Sequence, residues 1–230
     1  MTEPKDPQGV PDASGRLPGE SVEDWFRRTF GPMPPPTPDM DVPDEGAHRR
    51  DRNEALAALE RTIPPVYRWS RFSAPELRER VPAAAIGLGQ SLSQEPRVCV
   101  MGICRAGKTS LAVSMLRQWV GSSGRRAVFV AAHKLGMARI QHPAGHGEPE
   151  IVELALRSPL VLIDDLGFER DHVQNAVPEV IFDRHAENRP TWVTTGLTRE
   201  QLVKRYGLGV VARVFERAKV IRVGAKGSES

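Results

Sequence analysis

Apolar residues recur in two distinct rhythms along this chain. Short apolar-rich runs cover Arg97 to Met101, Ala127 to Ala132, Leu160 to Ile163, Thr191 to Thr195 and Lys219 to Val223. Runs of that length, several closed by glycine or acid, predict buried parallel strands. Between them the spacing turns helical. Leu111, Val113, Met115, Leu116 and Trp119 mark a helix from Lys108 to Val120, and a second helix runs from Pro178 to Glu187. Strands alternating with helices over roughly 130 residues predict an α/β fold, a doubly wound parallel five-stranded sheet.

Upstream the pattern is wholly helical. Arg50 to Thr62 places Leu56, Leu59 and Ile63 on one side and stops at Pro64-Pro65. Ser73-Ala74-Pro75-Glu76 reads as a capping box that opens a further helix through Val81. Residues 51–95 are therefore expected to form a helical adaptor ahead of a sheet domain over 96–224, with 225–230 as a tail.

Residues 1–50 hold half of the chain's 20 prolines, including Pro34-Pro35-Pro36-Thr37-Pro38. Such a segment has little to bury and is expected to be a disordered leader. One stretch interrupts it. Over 21–30, Ser21-x-x-Asp24 forms a capping pattern, and Val22, Trp25, Phe26 and Phe30 share one face of a short amphipathic helix. Two uses stay open for that face: docking into a partner's groove, or packing on its own chain.

Charge divides the same way. The leader carries ten acids against six bases, a balance of −4, so a net charge of +3 for the whole chain leaves +7 on the remainder. A basic body suits nucleic acid, ATP alone or simple solubility. The two cysteines, Cys99 and Cys104, are too few for a disulfide framework and show no zinc-ligand spacing. No secretion signal or membrane-spanning run is visible, so a cytoplasmic protein without membrane attachment is expected.

The chemistry is concentrated at two strand ends. The segment Gly102-Ile103-Cys104-Arg105-Ala106-Gly107-Lys108-Thr109 has the spacing of a phosphate-binding Walker A loop between a strand and a helix. The main-chain N–H groups at that helix start, those of Lys108, Thr109 and Ser110 among them, would wrap the phosphates of ATP. Lys108 would bridge the β- and γ-phosphates and Thr109 would ligate Mg²⁺. Leu160-Val161-Leu162-Ile163-Asp164-Asp165 is the matching Walker B strand. Asp164 is expected to hold the metal and Asp165 to polarise the attacking water.

From Arg97 to about Val223 the chain resembles the AAA+ ATPases of the DnaC/IstB group, bacterial helicase loaders and transposition helpers. The resemblance rests on Gly102 to Ala112, on Leu162-Ile163-Asp164-Asp165-Leu166-Gly167, on Ile181 to Thr191, and on Gly209-Val210-Val211-Ala212-Arg213-Val214. It implies a strand order with the Thr191–Thr195 strand between the two Walker strands, and no C-terminal lid domain. It further implies ATP bound at a boundary between identical subunits, with Arg213 as the arginine finger and Arg217 as its competitor. The group carries an asparagine where Thr194-Thr195-Gly196 ends the sensor strand. Thr195 is the substitute offered here, and hydrolysis is expected to be slow or switch-like. Arg105 stands where many relatives have glycine.

By this resemblance the chain would be a DnaC-like loader in DNA replication, binding single-stranded DNA and holding a replicative helicase through its leader. Candidate DNA contacts are Lys134, Arg139, His142 and His146. An IstB-like transposition helper, gripping a transposase, is the alternative from the same core. A small-molecule kinase would need an arginine-rich lid that Glu169-Arg170-Asp171-His172 does not supply. A nucleotide-gated binding protein with little turnover is the third class. Tyr67, Arg68 and Trp69 fall where such ATPases cradle adenine, and packing on the core explains them equally well.

Overall fold

The computed structural model describes residues 17–31, 45–143 and 145–224. The proline-rich stretches of the leader and the tail 225–230 lie outside the described residues. Two compact units divide the chain at Asp44 and Glu45. The first contributes helix α1 (Val22–Phe30), capped as expected: the Asp24 N–H donates to Ser21 Oγ at 3.1 Å. Gly31 ends it at φ 83, a conformation glycine reaches without a Cβ penalty.

The second unit opens with α2 (Glu45–Thr62), so the boundary expected at residue 50 falls inside a helix. A short 3₁₀ turn (Pro65–Tyr67), α3 (Pro75–Arg80) and α4 (Ala83–Leu92) follow. The capping box expected at Ser73 is absent. Ala74 is the N-cap and makes no side-chain bond, because Pro75 at the first helical position starts the turn through its fixed φ.

The remaining elements are β1 (Arg97–Gly102), α5 (Lys108–Ser123), β2 (Ala127–Ala131), α6 (Ala132–Gln141), α7 (Glu150–Arg157), β3 (Leu160–Asp164), α8 (Ala176–Ala186), β4 (Thr191–Thr195), α9 (Arg199–Phe215) and β5 (Lys219–Val223). All strand pairs are parallel, in the order β2-β3-β4-β1-β5. The sensor strand β4 does lie between β1 and β3.

Alternation along each strand feeds two cores. Val98, Val100, Phe129, Leu160, Leu162, Trp192, Ile221 and Val223 face the first, beneath α2 to α5. Cys99, Met101, Val128, Val130, Val161, Ile163 and Val193 face the second, beneath α6 to α9. The adaptor helices share the first core: Leu59, Ile63, Leu77 and Val81 are buried in the same cluster as Leu111 and Met115 of α5. At ~1.5–3 kcal/mol for each large side chain removed from water, they are integral to the sheet domain.

Two buried arginines bolt these layers. Arg117 on α5 pairs with Glu60 of α2 at 2.7 Å and donates to the carbonyls of Arg68 and Ser70. Arg184 on α8 donates to the carbonyls of Ala155, Leu156 and Ser158 at 2.7, 3.0 and 2.9 Å, to that of Pro190, and to Thr191 Oγ1 at 3.0 Å. It fixes the end of α7 and the start of β4 to one point. Burial pulls its guanidinium down to about 10.

Candidate functional site

The carboxyl ends of β1, β3 and β4 converge with the start of α5. Gly102 leaves β1 so close to the next strand that a β-carbon on it would collide with the Val223 carbonyl. Gly107, the N-cap of α5, has φ 86, and a β-carbon there would meet Val81 Cγ2 at 2.5 Å. Both glycines are thus required by close approach as well as by backbone shape. Arg105 holds the left-handed region at φ 65 without being glycine, a conformation that a side chain makes costly.

Between the glycines the loop crest is open: Ile103 is 67% exposed, and Cys104 and Arg105 are exposed too. Lys108, Thr109 and Ser110, by contrast, are buried at the first turn of α5. That turn has no side-chain cap and no acidic residue. Its leading N–H groups and the positive helix end are left for an anion. Lys108 Nζ donates to the Ile103 carbonyl at 2.9 Å, which holds the ammonium over the loop. The two cysteines differ sharply: Cys104 is on the crest, whereas burial pushes the Cys99 thiol up to about 12.

Thr109 and Asp164 are brought together as their motifs require. The Thr109 hydroxyl donates to Asp164 Oδ1 at 2.9 Å, and the Thr194 hydroxyl donates to the same oxygen at 2.7 Å. Burial pushes the Asp164 carboxyl up to about 6; the Thr194 bond opposes this, Asp165 adds to it, and Thr109 and Lys108 oppose it. A desolvated carboxylate beside a hydroxyl is a hard-oxygen pair suited to Mg²⁺, which takes one or two protein oxygens and completes its octahedron with phosphate and water. Among the described residues no group of three or more His, Cys, Asp and Glu side chains is placed to hold a metal. A two-ligand magnesium site needs none.

Asp165 is exposed, at φ 55, with its N–H donating to Thr194 Oγ1 at 2.9 Å. Thr195 is placed differently from the expectation. It is fully buried, its hydroxyl donates to the Leu166 carbonyl at 2.7 Å, and that oxygen accepts from the Leu197 N–H at 3.1 Å. The one proton of Thr195 is spent on a loop, so it does not replace a sensor amide.

Tyr67 lies beside Thr109 and Asp164. Burial raises its phenol, the bond with Thr109 opposes this, and the charges of Asp164 and Asp165 add to it. Trp69 instead carries the Arg80 guanidinium, 5.1 Å from its ring centre, and the Arg68 carbonyl accepts from Arg117. Neither is set out as a stacking platform for adenine.

Arg213 lies at the opposite end of the strands. With Arg97, His185, Arg189 and Thr191 it lines a pit of about 20 Å³ at the first residues of β1 and β4. Strands of five or six residues separate that end from the Gly102–Gly107 loop by roughly 15–20 Å. Its guanidinium stacks on Phe182, 4.2 Å from the ring centre, and Nη1 donates to the Gly209 carbonyl at 2.9 Å. Arg213 therefore cannot serve its own chain's site. Arg217, its competitor, follows the helix at φ 57.

The segment expected to meet DNA is mostly helix, since Lys134 and Arg139 sit on α6. Arg139 is paired with Glu148 and Glu179, and one His142 ring nitrogen lies 3.4 Å from the His146 carbonyl. Arg139 is thus a structural cation here rather than a free DNA contact.

Three residues of the site's frame escape the sequence pattern: Thr194, Phe168 and Glu169. The Glu169 side chain is fully enclosed, accepts from the Gly167 N–H at 3.1 Å and from the Tyr206 hydroxyl, and lies 3.5 Å from Arg205. It ties the turn after Asp165 to α9. Nothing in a linear pattern marks a buried glutamate of this kind.

No protein-family model and no curated protein matches this chain. Solved structures do. The DnaC helicase loader superposes with a TM-score of 0.58 at 22% identity, over 70% of this chain and 99% of that one. DnaI gives 0.56 at 18% identity, over 70% and 91%. The replication initiator DnaA, bound to AMPPCP and single-stranded DNA, gives 0.50 at 15% identity, over 65% and 50%. The chain shares the fold of these replication proteins.

Proposed function

We propose that this chain binds ATP with Mg²⁺, hydrolyses it, and acts in DNA replication as a DnaC-like helicase loader. The observation that carries the reading is the junction of Thr109 and Asp164 at 2.9 Å beside an uncapped helix start that holds Lys108. The likeness to the DnaC helicase loader over 99% of its length supports the choice among P-loop proteins.

Each residue has a chemical task in this reading. The α5 amides and Lys108 bind the β- and γ-phosphates. Thr109 and Asp164 are the protein oxygens that would hold Mg²⁺, whose charge would draw electron density from the phosphates. Asp165 accepts a hydrogen bond from the attacking water. Arg213, too distant from its own site, reaches the γ-phosphate of a neighbouring copy and neutralises charge there. A replicative helicase is held through α1, and single-stranded DNA binds to the assembled copies.

The test combines three measurements on the full chain: retention of a fluorescent ATP analogue, affinity for single-stranded DNA with and without ATP, and co-purification with the replicative helicase of the same cell. ATP-dependent DNA binding that weakens with salt supports the loader. ATP binding with no DNA or helicase bound would sink that role and leave a nucleotide-gated switch. That second reading is favoured by one observation, the diversion of the Thr195 hydroxyl to Leu166.

A further inference from the structure

The exposed ring of Phe168 and the missing side chain of Gly196 belong together. Phe168 closes the tight turn after Asp165, its N–H donating to the Asp165 carbonyl at 3.2 Å. The ring is 59% exposed, although phenylalanine gains by being covered. A β-carbon built on Gly196 would stand 3.2 and 3.3 Å from Cζ and Cε2 of that ring, and 3.6 Å from the Gly102 carbonyl oxygen. The ring edge thus fills the space into which a side chain at the end of β4 would project, next to the first residue of the phosphate loop. Gly196 is not in the left-handed region. Crowding by Phe168, rather than backbone conformation, is what a larger residue would meet.

The polar inventory around this point is short. The Thr194 hydroxyl donates to Asp164 and accepts from the Asp165 N–H. The Thr195 hydroxyl donates to Leu166 and accepts from Leu197. A hydroxyl has one proton to give, and both are committed. With Asp164 given to the metal in the reading above, that leaves the Asp165 carboxylate at the ends of β3 and β4 to meet a water. One acceptor alone fixes a water's distance but not its direction of attack.

We propose that the Phe168–Gly196 pair holds hydrolysis back. Gly196 offers no polar group and the Phe168 ring fills the space where one would stand, so the attacking water meets only Asp165 and the chain keeps ATP as a long-lived signal. In the step that is slowed, a water oxygen bonds to the γ-phosphorus as the bond to the β–γ bridging oxygen breaks. ADP leaves with that electron pair, and the water's proton passes through Asp165 to the released phosphate. The inference rests on the nucleotide reading above. It assigns to the Phe168–Gly196 pair control of turnover, separate from binding.

Four proteins decide it: the natural chain, Phe168→Ala, Gly196→Asn and the double variant, each measured for phosphate release and for affinity toward a fluorescent ATP analogue. The double variant is expected to raise kcat at least about tenfold with affinity within about twofold, since roughly 1.4 kcal/mol of transition-state stabilisation is one added hydrogen bond's worth. Gly196→Asn alone is expected to gain nothing while the ring remains, with thermal melting reporting the crowding. Unchanged turnover in a double variant that binds ATP normally overturns the proposal, as does an equal gain in Gly196→Asn alone. Failure of the natural chain to bind the analogue overturns the nucleotide reading itself, a separable result.

Discussion

Asp164 Oδ1 receives two hydroxyl protons, from Thr109 at 2.9 Å and from Thr194 at 2.7 Å, which joins the phosphate loop, the β3 end and the sensor strand at one oxygen. Thr194 has a second bond, from the Asp165 N–H. Replacing it by valine keeps the volume and removes both. Thr194→Val is expected to cost about 1–3 kcal/mol of stability, the range for leaving buried polar groups unpaired. Urea denaturation measures this. A loss below about 0.5 kcal/mol, within the scatter of neutral changes, would show the junction to be dispensable.

Lys108 tests the anion site directly. Its ammonium rests on the Ile103 carbonyl and is one of the few buried cations among the described residues. Lys108→Ala is expected to weaken ATP-analogue binding at least about tenfold, the equivalent of ~1.4 kcal/mol, with the fold intact by circular dichroism. Equal binding by the variant would remove the phosphate loop from the function.

The junction of Thr109 with Asp164 at the start of α5 is legible in the amino-acid sequence, because the glycine-rich turn into a helix and the acid that ends a buried strand are both marked by spacing. The strands are legible for a similar reason: Val98 to Met101 and Leu160 to Ile163 are apolar on both faces, as a covered parallel sheet demands. Helix α4 is hidden. Gly87 and Gly89 break its apolar rhythm, and Gly89 is there because a β-carbon would meet Leu111 Cδ1 at 2.8 Å. Side-chain partnerships are hidden as well. Adjacent threonines look alike in sequence, yet alternation along β4 sends Thr194 to the carboxylate and Thr195 to the Leu166 carbonyl.

Arg184 sets an upper scale for structural loss. Its guanidinium satisfies carbonyls at the end of α7 and before β4, of which that of Leu156 keeps a second donor in Arg189. Arg184→Met is expected to destabilise the chain by about 3 kcal/mol or more, since several acceptors lose their donor together. For a domain of this size that corresponds to a fall in Tm of roughly 6–12 °C. Calorimetry reads it, and a variant melting within about 2 °C of the natural chain would contradict the bolt.

Acid should weaken the hold of Arg117 on Glu60. The bond from Arg117 keeps the Glu60 carboxyl below its ordinary value of 4.5. A depressed folded value means the unfolded chain takes up the proton first as pH falls. The pair's contribution is therefore complete above the unfolded value and disappears as pH drops through the lower folded one. Comparing Tm at pH 7 and pH 4 should show a smaller fall for Glu60→Gln than for the natural chain. Parallel curves would show that the half-exposed carboxylate contributes too little to measure.

The position of Arg213 makes the strongest demand on assembly. It stands at the amino ends of β1 and β4, stacked on Phe182, while the start of α5, where the proposed reading puts the phosphates, lies at the carboxyl ends. If it acts, it acts on a second copy. Arg213→Ala is expected to bind ATP normally and to lose most of its hydrolysis, because its own phosphate loop is untouched. Asp165→Asn has the opposite defect, an intact finger beside a disabled site. Mixing the two variants should restore part of the activity, since some Arg213→Ala sites then face a neighbour that still carries the arginine. Phe182→Leu, which removes the ring and keeps the bulk, should lower kcat with little change in KM and should be rescued by the same mixing. A mixture no more active than its components would place both residues outside the reaction. Full activity of Arg213→Ala on its own would pass the role to Arg217, which the same mixing design can then examine.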